Sequence, residues 1–458
     1  MSLASRLVCA ACHTALDADE PWPFRCPHSN LEGDVDHLLE VELDLEATEF
    51  PTVFPTDESP NPFIRYRSLL HSYRFARRNG VSDANYIARV EEIDAAIFAC
   101  DARRFQPTPL VHADPLLDAP LWIKDETGNV SGSHKARHLM GLALQLSFAG
   151  SEENPLAISS CGNAALAAAV VARATKRTLK TFVPENADPK ILARLQELGA
   201  QVVNCARTPG LSGDPCTRNF RDAVANGAVP FSVQGSDNGL ALEGGRTLAW
   251  EVVTQFQEAS SPLPDSVTIQ VGGGALGSSF VQGLEIARTL GAIATLPRLL
   301  FVQTESVAPL HRAYARISAE AHAACDEVFV ERPGHELARW WLEHAADERV
   351  RAVRVEARRH RSRYLPPWPL PKPSVASGIL DDETYDGFRL LDAMLDTGGW
   401  PLVVSEQELE LANALANTFP GVSVDATGSA GLAGWVQARQ ANKLDDASGL
   451  ILFTGVRR

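Results

Sequence analysis

The sequence predicts an α/β protein of two domains, each a mostly parallel sheet flanked by helices. From about residue 121 to 235, short apolar β-type runs alternate with helical patterns, which is the order a parallel sheet with crossover helices requires. Three junctions that enter helices, at 131–137, 159–163 and 272–277, are written in small residues and glycine. A chain of 458 residues that is 45% hydrophobic can bury more than one core.

Taken in order, residues 1–30 form a zinc-ribbon-like segment. Cys9-Ala-Ala-Cys12 is a Cys-x-x-Cys knuckle, and Cys26-Pro-His28 offers a second pair. Cys9, Cys12, Cys26 and His28 are thus candidate ligands for one structural zinc; the irregular Cys-x-His spacing equally fits a ribbon that has lost its metal. Residues 31–120 read as an extension packed on the large domain. Within it, 31–60 is acidic and proline-containing, an irregular connection, and 61–105 holds two mainly helical stretches separated by Asn79-Gly80. A small domain is expected over 121–235, with strands at Pro155–Ile158, Leu179–Val183 and Gln201–Asn204 and helices at His138–Phe148, Ala164–Ala174 and Pro189–Leu198. The large domain is expected over 236–458, with a strand Ser266–Val271, a helix Ser278–Leu290, a strand Arg298–Gln303 and an insertion near 330–375. That insertion carries Arg351, Arg354, Arg358, Arg359, Arg361 and Arg363, then a proline-rich run ending at Pro373 that disfavours regular structure. It reads as a solvated helix and loop, or as a piece shaping the active-site mouth or a subunit contact.

The chemistry sits at the three junctions. Lys135, in Ser131-Gly-Ser-His-Lys-Ala-Arg137, places an amine at a turn entering a helix, where it can form a Schiff base with an aldehyde cofactor. Ser159, Ser160, Cys161, Gly162 and Asn163 follow a strand and open a helix, gathering free backbone N–H groups suited to a carboxylate. Gly272, Gly273, Gly274, Ala275, Leu276 and Gly277 repeat that arrangement, and glycine lets the backbone approach a phosphate closely. Cys161 reads either as a reactive thiol or as a small buried residue.

In this order the three loops resemble the tryptophan synthase β superfamily of pyridoxal 5'-phosphate enzymes, fold type II, over about 120–458. Lys135 and Arg137 match the Ser-x-Lys-x-Arg pattern of threonine synthases and serine/threonine dehydratases. The stretch from Leu242 to Glu251 is similar to the helix after the active-site crevice, and Thr108-Pro-Leu110 and Leu121–Glu126 are similar to the entry strands. The resemblance implies that Lys135 carries the cofactor and that Asn163 bonds its 3'-oxygen. It further implies that Gly272–Gly277 hold its phosphate, with His134 beside them, and that Thr427, in Asp425-Ala-Thr-Gly-Ser-Ala-Gly431, faces the pyridine nitrogen. Arg137 and Arg246 are candidates to neutralise cofactor or substrate anions. The implied activity is elimination or replacement at an amino-acid side chain in a homodimer.

A net charge of −15 argues against a nucleic-acid surface. No apolar run reaches membrane-spanning length and no signal-peptide region opens the sequence, so a cytoplasmic protein with a small amino-acid substrate is expected. The eight cysteines are too sparse for a disulfide framework. Two other readings stand. Gly272, Gly274 and Gly277 also spell the Gly-x-Gly-x-x-Gly of an NAD(P)-dependent oxidoreductase, with Glu305 near the end of the next strand. A catalytically silent binding protein would keep the same loops.

Overall fold

The computed structural model describes the chain except residues 1–3, 18–19, 21–23, 30–33, 52–58, 114–119, 151–153, 207–213, 370–371, 442 and 445–447. Parts of the expected 31–60 connection, of the proline-rich run and of the N-terminal segment lie outside the described residues. Among the described residues are three sheets. Strands β1 (Ser5–Cys9) and β2 (Leu39–Leu43) form an antiparallel pair. Strands β3 (Leu110–His112) and β4 (Leu121–Asp125) belong to a six-stranded sheet. A four-stranded sheet is built from β5 (Leu156–Ser159), β6 (Leu179–Pro184), β7 (Gln201–Cys205) and β8 (Val229–Pro230). The six-stranded sheet is completed by β9 (Ser266–Gln270), β10 (Arg298–Thr304), β11 (Pro401–Val404) and β12 (Gly449–Phe453), in the order β11-β10-β9-β12-β4-β3. All its pairings are parallel except β3 with β4, and the order in the smaller sheet, β7-β6-β5-β8, is parallel throughout.

Every residue of β9 and β12 is buried. These continuous runs suit a parallel sheet covered by helices on both faces. β4 pairs with β12 in the six-stranded sheet, so the strand placed first in the small domain by sequence belongs to the larger layer. β2 lies in the segment expected to be irregular. Its Leu-Glu-Val-Glu-Leu alternation buries Leu39 and Val41 and pairs them with β1.

The helices Lys135–Ala149 and Glu243–Glu258 cross at two glycines. A Cβ on Gly141 would lie 2.8 Å from the Gly244 Cα, and one on Gly244 would lie 1.9 Å from the Arg137 carbonyl oxygen. Only glycine allows that approach, and it fixes the helix that begins at Lys135 against the large layer. The arginine-rich run is not part of the cavity: Arg351, Arg359 and Arg363 are exposed, as a solvated helix and loop would have them, and the other three are paired. In the helix Glu348–Arg359, Arg354 pairs with Asp392 and Asp396 and Arg358 pairs with Asp392, while Arg361 reaches Asp36 and Glu383. No described helix is long and apolar enough to cross a membrane.

Candidate active site

The strained turn before Lys135 is where the sequence positions its amine. Ser131 has φ 55° and Gly132 φ 69°, a left-handed pair that reverses the chain; Ser131 is one of the described non-glycine residues in that region. Its N–H donates to the Asp101 carboxylate at 2.7 Å. Lys135 is then the first residue of the helix Lys135–Ala149, which begins earlier than the sequence pattern indicates.

Lys135 opens into a cavity of about 400 Å³ between the two parallel sheets. The cavity is lined by Ser159–Asn163 after β5, by Gly272–Leu276 after β9, and by Thr427, so the expected residues Ser159, Ser160, Cys161, Gly162, Asn163, Gly272, Gly273, Gly274, Ala275 and Leu276 meet there with His134. Burial lowers the Lys135 amine, opposed by the fields of Asp381 and Asp386; a less protonated amine is a better nucleophile. A larger groove, about 910 Å³, lies where β9 and β10 begin and includes none of these residues.

Several expected residues are placed differently in detail. Gly274 has φ 104° and begins the helix Ala275–Thr289, so its glycine is conformationally required. Gly277 does not line the cavity: a Cβ there would meet Leu390 and Phe301 at 2.8 Å, so this glycine serves packing. Asn163 reaches the cavity with its amide already engaged, its Oδ1 accepting from Arg458. Cys161 is exposed onto the cavity and is not the small buried residue of the blander reading, although burial still pushes its thiol up. His134 Nδ1 donates to the Thr454 carbonyl, 3.2 Å away; a carbonyl only accepts, so Nδ1 carries the proton. Burial holds the ring neutral, and its buried Nε2, without a partner among the described residues, is then an acceptor. That nitrogen suits a hydroxyl or a protonated phosphate oxygen better than a phosphate dianion.

Thr427 Oγ1 accepts the Gly378 N–H at 3.0 Å. A hydroxyl that accepts from one side has its own proton to donate elsewhere, and Thr427 is among the residues that line the cavity.

Arg137 and Arg246 do not face the cavity. Arg137 binds Glu126 through Nε and Nη2, each at 2.8 Å, and Glu251 at 3.1 Å, while Lys124 contacts Glu251 at 2.5 Å. All four side chains are buried. Arg246 is buried against Gln282 and the Val41 carbonyl. Both arginines hold helices in place.

The N-terminal ligand set also changes. Cys9, Cys12, Cys26 and His37 have ligand atoms all within 4.8 Å of one another, with Cys12 and Cys26 sulfurs 3.6 Å apart and Cys9 Sγ 3.4 Å from His37 Nδ1. Thiolates at zinc-bond length on a tetrahedron sit about 3.8 Å apart, so the group fits zinc. His28 instead contacts Thr14 Oγ1 at 3.0 Å and lies 3.7 Å from Cys12. The β1–β2 pairing, with Cys9 opposite Leu39, brings His37 in.

Residues that the sequence did not single out also line the cavity, among them Gln270, Asp381 and Thr454. Asp381 accepts from the Gly273 N–H. An acid in a loop carries no local signal that separates it from a solvated one.

The decisive comparison is a sequence profile for pyridoxal-phosphate dependent enzymes, which matches residues 103–455. The chain belongs to this PALP family. Its cofactor is pyridoxal 5'-phosphate, and the cavity fits it: a glycine cradle at the start of a helix, a lysine of lowered basicity, a hydroxyl and an acceptor nitrogen surround one space. The match to a pyridoxal-phosphate family runs through the Gly272–Gly277 loop, which sets aside the NAD(P) reading. Over 192 residues, or 40% of its length, the chain is 28% identical to an L-serine dehydratase of Saccharomyces cerevisiae and spans 56% of that relative. It is 22% identical over 341 residues to threonine synthase of Methanocaldococcus jannaschii, covering 73% of this chain and 69% of the relative. Among solved structures, a threonine deaminase from T.th. superposes with a TM-score of 0.54 at 22% identity, covering 80% of this chain and 98% of that one. Maize serine racemase superposes with a TM-score of 0.53 at 17% identity, covering 80% and 93%. These likenesses establish the two-layer α/β fold.

Proposed function

We propose that the protein is a pyridoxal-phosphate-dependent amino-acid lyase or synthase. It would eliminate or replace a β- or γ-substituent through a carbon–oxygen, carbon–nitrogen or carbon–sulfur bond, as threonine synthases, dehydratases and ammonia-lyases do. The observation that carries this reading is that Thr427 lines the cavity with its hydroxyl oxygen fixed by the Gly378 N–H, which leaves the hydroxyl proton free to donate. When bound, the cofactor draws electrons from the Cα of the amino acid it holds. A neutral hydroxyl at the ring nitrogen leaves that pull weaker than a carboxylate would, which favours a reaction drained by a leaving group over transamination.

In this reading Lys135 would hold the cofactor, and its amine, of lowered basicity, would serve as the base for the substrate's Cα proton. Backbone N–H groups of 159–163 would hold the substrate carboxylate, and those of Gly272–Leu276 would hold the phosphate, with the Gly273 N–H exchanging its bond to Asp381 for one to the phosphate. Asn163, its amide held by Arg458, would bond the cofactor's 3'-oxygen. The enzyme is a cytoplasmic homodimer, and its N-terminal segment carries structural zinc on Cys9, Cys12, Cys26 and His37.

The test is turnover of the purified, cofactor-loaded protein with serine, threonine, phosphohomoserine, 2,3-diaminopropionate and cysteine. Release of a keto acid and ammonia, or formation of a substituted amino acid, is expected with one of them. Conversion to the D-amino acid without keto acid would refute elimination in favour of racemisation, and no turnover at all would support the silent binding protein.

A further inference from the structure

The larger groove, about 910 Å³, lies at the opposite end of the six-stranded sheet from Lys135. The cavity opens after the last residue of β9, whereas the groove is lined by Asp265 before β9, Arg298 at the start of β10 and Trp400 before β11. The 5 residues of β9 separate the two, a span of about 16 Å. Around one indole, three buried nitrogens have no hydrogen-bond partner among the described residues: Arg298 Nε, His335 Nδ1 and Trp400 Nε1. Trp400 is 2% exposed. The Arg298 guanidinium carbon lies 5.6 Å from its ring centroid, and the His335 ring lies 6.1 Å away. The guanidinium and the indole can only donate, and an imidazole nitrogen can carry a proton. A buried donor without an acceptor is costly, so this cluster lacks what an anion supplies. His335 also stands in the first turn of the helix Gly334–Glu343, whose N-terminus no side chain caps, and that end of a helix favours negative charge.

We propose that this groove is a second binding site, for a monocarboxylate with an apolar body, the carboxylate held by Arg298, His335 and the Trp400 indole. The site is separate from the one at Lys135 and stands whichever reaction that cavity performs. The charge of the groove agrees with an anion. Among the described residues lining it, Arg298, Arg339 and Lys443 face one carboxylate, Asp265. The Asp265 Oδ2 is already taken, accepting from the Ser448 hydroxyl and N–H at 2.8 Å each. A chain of net charge −15 therefore carries a groove in which cations outnumber anions. The planar fork of Arg298 matches a carboxylate, and Arg298 and His335 are only half-buried, within reach of the groove. Leu263, Ile293, Leu296 and Leu342 supply an apolar wall, with Leu342 49% exposed. A pocket with such walls and a few converging polar groups is the ordinary form of a small-molecule site.

The experiment is calorimetric titration of the cofactor-loaded protein with hexanoate, set against probes that change one part of it. Hexanol and hexylammonium keep the body and change the head; acetate keeps the head and drops the body. Hexanoate should bind saturably, with hexanol and acetate each about tenfold or more weaker and hexylammonium weaker still. Arg298→Gln should weaken hexanoate about tenfold or more, and so should Leu342→Asp, which puts a like charge at an exposed position where folding tolerates it. The cofactor absorbance should stay unchanged in both variants and on adding hexanoate, because the groove lies away from Lys135. Absence of saturable hexanoate binding below about 10 mM would overturn the proposal, as it would if a second copy of the chain covers the groove. So would hexanol or hexylammonium binding as tightly as hexanoate. Unchanged hexanoate affinity in Leu342→Asp would place the ligand elsewhere and overturn it as well, even should Arg298→Gln fail to fold.

Discussion

Replacing Arg137 by methionine tests what holds the Lys135 helix in place. Arg137 and Lys124 face Glu126 and Glu251 in a buried group of two positive and two negative charges. Methionine fills a similar volume and leaves one negative charge in excess, with Glu126 losing both of its contacts to the guanidinium. Breaking a buried pair in this way costs about 3–5 kcal/mol. The cost depends on pH in a definite direction. Burial alone would raise the Glu126 carboxyl, but the Arg137 charge and hydrogen bonds override it and hold the group at about 2. In the parent, that group's stability is present above its unfolded value of about 4.3 and is lost as pH falls through its folded value. In the variant, the unpaired carboxylate is raised instead, so protonation relieves it as pH falls toward 5. Guanidinium unfolding followed by tryptophan fluorescence at pH 7 and pH 5 should show a loss that shrinks on acidification. A loss under about 1 kcal/mol at pH 7, or a loss that grows toward pH 5, would refute the reasoning.

Gly244→Ala should destabilise the fold by about 1–3 kcal/mol, because its methyl meets the Arg137 carbonyl; thermal melting and cofactor occupancy, both lowered, check it. Metal analysis of protein purified without chelator should give one zinc per chain in the parent and in His28→Ala, and a marked loss in His37→Ala; equal retention in both variants would remove His37 as a ligand. Thr427→Asp should move the cofactor absorbance to longer wavelength and slow turnover, since a carboxylate keeps the ring nitrogen protonated; an unchanged spectrum and rate would mean Thr427 is not the ring partner.

What the sequence revealed, and what it did not, follows the range of the interactions involved. Lys135, the 159–163 loop and Gly272–Leu276 were legible because each depends on a local need, a tight turn or bare backbone at a helix start. The apolar runs of β9 and β12 were legible because burial on both faces leaves no alternation to misread. His37 was not, because it reaches Cys9 only through the pairing of β1 with β2, whereas His28 stands close to Cys26 in the chain. The alternation in Leu39–Leu43 did carry the strand signal, and the surrounding acidic composition outweighed it. Arg137 read as an anion binder because its partners, Glu126 and Glu251, are brought together by packing a strand and a distant helix against it. Asp381 became a wall of the site only once the segment after the arginine-rich insertion folded over Gly272 and Gly273.

The central claim is that Lys135 carries the cofactor, and borohydride reduction tests it most directly. Reduction of the yellow protein should bleach its absorbance and fix one pyridoxyl group, which peptide mapping should place on Lys135, and Lys135→Ala should retain no reducible adduct. A pyridoxyl group on another lysine, or an adduct that survives in Lys135→Ala, would contradict the account.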